Sequence, residues 1–234
     1  MSSTQPEDLP GVVARLADDE PLDRRTRAGL VGRLAVLMAG QSRRLVDVVI
    51  EVAPHIPIRD LQTLRAHHRG LSGDALAETL IASATRVTGA IGAAGGLLST
   101  VEMAAPPLLL SAPVQVAAET LAVVAVELKL VAELHEVYGR APVGTPAVRA
   151  AAYLGAWARR RGIDPLTGGP GLTGVISGAA RRELRQRLLR RAGRNVTTVV
   201  PFLAGAVAGA ALNQRETRRL GEQVTKDLRR TTGW

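Results

Sequence analysis

The chain has 234 residues, no cysteine and a net charge of +9, with hydrophobic residues at 46% and aromatic residues at only 2%. The lack of cysteine excludes disulfides and thiolate metal sites. The scarcity of aromatic rings leaves Ala, Leu, Val and Gly to fill a core, and such small side chains let helices approach closely. The length admits one large domain or two intimate halves.

In chain order, Met1 to Pro10 is polar and acidic and reads as a disordered tail. It holds no apolar core of the kind a signal peptide needs, so the expected location is the cytoplasm. Residues 11–70 read as an N-terminal helical region. It comprises a helical stretch from Leu22 to Val52, broken near Gly40 and ended by Ala53-Pro54. A short amphipathic helix follows from Pro57 to His68, with Leu61 and Leu64 inward and Gly70 as its stop.

Residues 71–234 read as a second helical region. Ser72 offers an N-cap for a helix that reaches about Thr100. Its half from Val87 to Val101 carries no charge and contains Gly89, Gly92, Gly95 and Gly96. Met103 to Pro113 is an apolar, Pro-rich connection where polar residues are usual. Leu108, Leu109 and Leu110 within it are the candidate membrane-contact loop.

The strongest helical pattern runs from Pro113 to Tyr138 and is ended by Gly139. At 100° per residue, Gln115, Glu119, Lys129, Glu133 and Glu136 share one side, and Thr120, Glu127 and His135 fall on the apolar side. A carboxylate there has to be paired, protonated or functional, so Glu127 is expected to be shielded and bonded to an arginine. His135 lies roughly 80° round from it. Glu127, His135 and Thr120 are thus a candidate polar pocket.

Thr145-Pro146 signals another helix start, with Pro at the first helical position, and that helix ends near Arg161-Gly162. Asp164 to Gly171 reads as a loop, and Thr173 to Arg191 as a basic helix. Asn195 to Gln214 is a 20-residue segment without charge. It is long enough to span a bilayer, but arginines flank both ends and Ala, Gly and Thr dilute its hydrophobicity. A buried or shallowly embedded helix is the expectation. The chain then turns basic to Arg230, with Leu220, Val224 and Leu228 at helical spacing.

Charge is divided unevenly. Met1 to Gly139 holds 12 basic and 16 acidic residues, whereas Arg140 to Trp234 holds 18 basic and 5 acidic. Such asymmetry points to an acidic partner. Arg181, Arg182, Arg185, Arg187, Arg190, Arg191 and Arg194 are the candidate anionic-surface contacts. Nucleic acid is the weaker candidate, because no stacking aromatic, zinc finger or helix-turn-helix accompanies them. Basic amphipathic helices beside apolar Gly-rich segments fit an anionic membrane surface, or a membrane protein, better.

Catalytic patterns are missing. His55, His67, His68 and His135 show no ligand spacing, and the chain contains neither a Gly-x-Ser-x-Gly elbow nor a phosphate-binding Gly-x-x-x-x-Gly-Lys loop. No catalytic, metal-binding or cofactor-binding residue is assigned. Gly92 to Gly96 and Gly205 to Gly209 are small-xxx-small pairs suited to close helix packing.

A Gly-rich apolar helix, the turn APPLLLSAP (Ala105 to Pro113), a long helix ending in Tyr138-Gly139, and PFLAGAVAGAALNQRETRRLG (Pro201 to Gly221) follow one another. This order resembles the EcsC protein family, whose members carry a Gly-Ala-x-x-Gly-x-x-x-Asn segment. Gly205 to Asn213 matches that segment here. The resemblance covers roughly Thr79 to Arg230 and lacks the family's Leu-Pro-Gly turn. It implies no enzymatic activity and a loose link to membrane transport or secretion.

The resulting expectation is an all-α bundle built on a long antiparallel helix pair, Ser72–Val101 with Pro113–Tyr138. The function expected is a non-enzymatic one at the cytoplasmic face of a membrane. The alternative is a soluble receptor holding an apolar ligand between Gly-rich helices, with Glu127 and His135 as polar contacts.

Overall fold

The computed structural model describes residues 8–18, 22–39, 45–104, 112–160 and 202–231. They form an all-α fold: α1 (Leu9–Ala17), α2 (Arg24–Ala39), α3 (Leu45–Val52), a 3₁₀ turn (Ala53–His55), α4 (Leu61–His67), α5 (Gly73–Ala104), α6 (Ala112–Val137), α7 (Pro146–Arg160) and α8 (Phe202–Thr231). Among the described residues there is no strand.

Side-chain caps set several helix starts. Asp8 accepts from the Gly11 N–H at 2.9 Å, Asp23 from Thr26 at 2.7 Å and Asp60 from Thr63 at 2.7 Å. Each satisfies an N–H that the first turn leaves without an intrahelical partner. Thr145 does the same for α7, whose first residue is Pro146. α6 ends in a Schellman turn: the Gly139 N–H reaches the Glu136 carbonyl, the Arg140 N–H reaches that of His135, and Gly139 takes φ 63°. α4 ends in the same way, with Gly70 N–H on Arg65 O at 2.8 Å, but there the left-handed residue that closes the helix is Arg69, φ 54°.

α6 is the axis of the bundle. Every residue from Thr120 to Leu134 is buried, and α1, α2, α5, α7 and α8 all pack on it. α5 runs antiparallel to it, since the Tyr138 hydroxyl at the end of α6 donates to Asp74 at the start of α5, at 2.6 Å. α8 also lies antiparallel to α5 along most of its length, in the most extensive helix pairing of the fold. Arg229 meets Asp74, Gly221 meets Ile81, Asn213 meets Thr88 and Gly209 meets Gly92. At the last crossing a Cβ on Gly92 would stand 3.0 Å from the backbone of Gly209 and Ala210, so only glycine allows that approach. The apolar side chains of α1 to α3 belong to the same continuous core as those of α5 to α8.

Several expectations need correction. Residues 8–10 belong to α1 and its cap rather than to a tail. Pro10 and Gly11 look like breakers, yet a first-turn Pro gives up an N–H that had no helical acceptor. α4 begins at Leu61 instead of Pro57, because the Asp60 carboxylate fixes the start. Residues 202–214 and 215–231 form one helix, α8, since Asn213, Thr217, Leu220, Val224 and Leu228 carry a single buried stripe across the change in composition. Among the described residues no helix is long and apolar enough to cross a membrane.

The largest correction concerns the polar side of α6. Lys129 and Glu133 are only 3% and 2% exposed. Glu133 is held by Lys129 Nζ at 2.5 Å and by a two-pronged bond from Arg59, Nε to Oε1 at 2.8 Å and Nη2 to Oε2 at 3.0 Å. A helix wrapped on all sides has no solvent face, so its charges close on one another.

Candidate functional site

Two polar centres stand out, one inside the bundle and one on its surface. The inner one is Glu127, which is fully buried. Trp157 Nε1 of α7 donates to Oε2 at 3.0 Å, and Thr217 Oγ1 of α8 donates to Oε1 at 3.1 Å. The shielding matches expectation, and both of these donors are neutral groups. α7 supplies Trp157 because Ala150, Tyr153, Leu154, Trp157 and Ala158 form its buried stripe. A buried indole needs an acceptor for its N–H.

His135 lies two turns further along α6 and engages a different set of groups. Its Nδ1–H donates to the Val131 carbonyl at 2.7 Å, and its ring meets Tyr153 edge-on at 5.6 Å. Burial pushes its pKa below the usual imidazole value, and the charges of Arg159 and Arg160 push the same way. Burial likewise raises the Tyr153 phenol, against the pull of neighbouring Arg149. Arg149 pairs with Glu136 at 2.8 Å. Thr120 is buried on the Glu127 side of α6, a full two turns before it. The three residues of the expected pocket therefore share a helix, but Glu127 and His135 bond to separate neighbours.

The surface centre lies where the last turn of α7 meets the last turns of α8. Arg159, Arg160, Gln223, Lys226, Asp227 and Arg230 line a cleft of about 320 Å³. Arg160 pairs with Asp227 across it. Burial and the neighbouring Arg159 charge hold the Arg160 guanidinium below its usual pKa. Neither helix was singled out for this role in the sequence, where α7 shows a terminal Arg-Arg and α8 an ordinary basic stretch. The juxtaposition of residues some 70 positions apart has no local signature.

Arg181, Arg182, Arg185, Arg187, Arg190, Arg191 and Arg194, and the loop leucines Leu108, Leu109 and Leu110, lie outside the described residues. Among the described residues no group of three or more His, Asp or Glu could hold a metal ion. Asn213 of the Gly205–Asn213 segment is buried and donates to the Thr88 carbonyl at 3.3 Å, so this part of the segment serves helix packing. Compared with protein-family models, curated proteins and solved structures, the chain matches none of them.

Proposed function

We propose that this chain is a helical binding protein that docks, without catalysing a reaction, on an anionic membrane surface at the cytoplasmic face. The observation that carries the reading is electrostatic. Residues 140–234 hold 18 basic against 5 acidic residues, and within this part α7 and α8 gather four cations around one cleft. Cations clustered near an anionic bilayer contribute about 1 kcal/mol each, screened by salt. The resemblance to the EcsC family points in the same direction through its link with membrane transport. Binding is peripheral in this reading, with Leu108 to Leu110 as the apolar element that salt does not screen.

The receptor reading needs Glu127 and His135 to face an apolar ligand. Their bonds to Trp157, Thr217 and Val131 serve the protein's own packing instead.

Vesicle flotation tests the proposal. The protein should float with anionic vesicles at low salt, less at high salt, and weakly with neutral vesicles. Replacing Arg185, Arg187 and Arg191 by Gln should flatten the salt dependence. Replacing the three leucines by Ser should weaken binding to both vesicle types. A protein that stays at the bottom of the gradient with anionic vesicles at low salt would end the membrane reading.

A further inference from the structure

Among the described residues, the cleft between α7 and α8 holds more positive than negative side chains. Arg159, Arg160, Lys226 and Arg230 face one carboxylate, Asp227, and that carboxylate is engaged by Arg160. Among the described residues Arg159, Lys226 and Arg230 have no ion-pair partner, and all three are exposed. Cations in a last helical turn are often there to complement the helix dipole, and each helix end offers about half a negative charge. Two ends together supply about one such charge, which leaves the cleft at about +2. The arrangement thus exceeds what capping requires. Its effect is felt locally, since Arg159 disfavours the charge on Arg160 and both disfavour a proton on His135.

We infer that this cleft is a binding site for a phosphate-bearing anion, held by Arg159, Lys226 and Arg230, with Gln223 as a neutral donor and the Arg160–Asp227 pair as its fixed wall. A terminal phosphate suits it better than a carboxylate. It brings up to two charges and three oxygens, it can accept two parallel bonds from a guanidinium, and it takes a point charge from lysine. Two sources carry that chemistry: the headgroup of a phosphomonoester lipid and a soluble phosphate compound. The inference deepens the membrane reading by naming the group recognised, and it is testable apart from it.

The probe for the soluble source is inorganic pyrophosphate, titrated calorimetrically into the full chain at low salt. Single-site binding is expected. The variant Arg159→Gln/Lys226→Gln/Arg230→Gln should weaken it by about tenfold or more, the loss of one or more charge-assisted bonds. A charge-matched control, Arg65→Gln/Arg215→Gln/Arg219→Gln, removes three exposed cations elsewhere and should leave affinity within about threefold, the scale of screened long-range charge. Absence of pyrophosphate binding together with no cleft-dependent lipid preference, or an equal loss in both variants, would overturn the site. Circular dichroism and thermal melting confirm that each variant folds. Should the cleft triple fail to fold, Lys226→Gln alone must still weaken binding.

The lipid arm compares vesicles containing phosphatidic acid with vesicles containing phosphatidylglycerol at matched surface charge. Preference for phosphatidic acid, lost in the cleft triple and kept in the control, assigns the lipid source. Pyrophosphate binding at the cleft without that preference assigns the soluble one. Flotation with every anionic vesicle, untouched by the cleft triple and without pyrophosphate binding, would retain the membrane reading and overturn the cleft.

Discussion

The indole N–H of Trp157 and the carboxylate of Glu127 meet at 3.0 Å in the interior, 30 residues apart in sequence. The contact fastens α7 to α6, and Thr217 adds α8 to the same carboxylate. Three helices are joined at one buried polar point.

Removal of either partner should therefore cost more than its size suggests. Trp157→Phe keeps most of the ring and deletes the donor, for an expected loss of about 1–2 kcal/mol. Glu127→Ala leaves the Trp157 and Thr217 donors buried without this acceptor and opens a cavity, for about 3 kcal/mol or more. The two changes should fall short of additivity by about the worth of their shared bond, since that bond can be lost only once. Urea denaturation of the double-mutant cycle checks this, and simple additivity would mean the bond contributes nothing.

The crossing of α5 and α8 predicts opposite outcomes for two adjoining glycines. Gly92→Ala places a methyl group 3.0 Å from the opposing backbone, which cannot withdraw without parting the helices. A loss of about 1–3 kcal/mol is expected, offset in part by alanine's better helix propensity. Gly209→Ala meets nothing nearer than the Gly92 carbonyl at 3.6 Å, an ordinary contact. There the propensity gain of about 0.5–1 kcal/mol should prevail and raise stability. Thermal melts of the two variants must differ in sign.

Arg69 occupies the left-handed conformation that closes α4, a position glycine fills without steric cost. Arg69→Gly should stabilise the chain by about 0.5–1 kcal/mol, the relief of left-handed strain less the added freedom of the unfolded state. Denaturation midpoints with an unchanged slope would confirm it, and a loss of stability would mean the arginine side chain matters more than its backbone.

His135 links stability to pH. Its folded pKa lies below the model value of 6.5, chiefly through burial. The unfolded chain therefore takes up the proton more readily, so stability is full above about pH 6.5 and is lost as pH falls through the folded pKa. The carboxylates of Asp23, Asp60 and Asp74 are lowered from 3.8 and act only in more acid solution. Between pH 7.5 and 5.5 the wild type should lose stability, and His135→Gln should lose less. Equal slopes for the two proteins would assign the effect to another group.

The helical class, the α5–α6 pair and the start of α7 were legible because periodicity and capping are local. The buried stripe of α8 was legible in part, through Leu220, Val224 and Leu228. What escaped depends on surroundings. A helical wheel gives the angle of Lys129 and Glu133 but not the number of helices around them, and among the described residues seven helices contact α6. The jump from apolar to basic residues at Arg215 read as a boundary, although the inward face runs on unchanged. For Glu127 the sequence predicted enclosure, and Trp157 and Thr217 could be assigned as donors only once three helices were placed. The surface cleft had no sequence signal beyond a surplus of arginine.

The clamp at Asp74 bears on the order in which the chain can assemble. Its two partners, Tyr138 and Arg229, lie 64 and 155 positions downstream. During synthesis α5 and α6 can fold back on each other soon after both have emerged, but the glycine-lined flank of α5 waits for its contacts with α8. The largest helix interface is thus also the one most distant in sequence, and such contacts form late. Until then Ile81, Gly89 and Gly92 lack their α8 partners. A nascent chain stalled before Phe202 should bind chaperones or aggregate, and release should follow the arrival of α8.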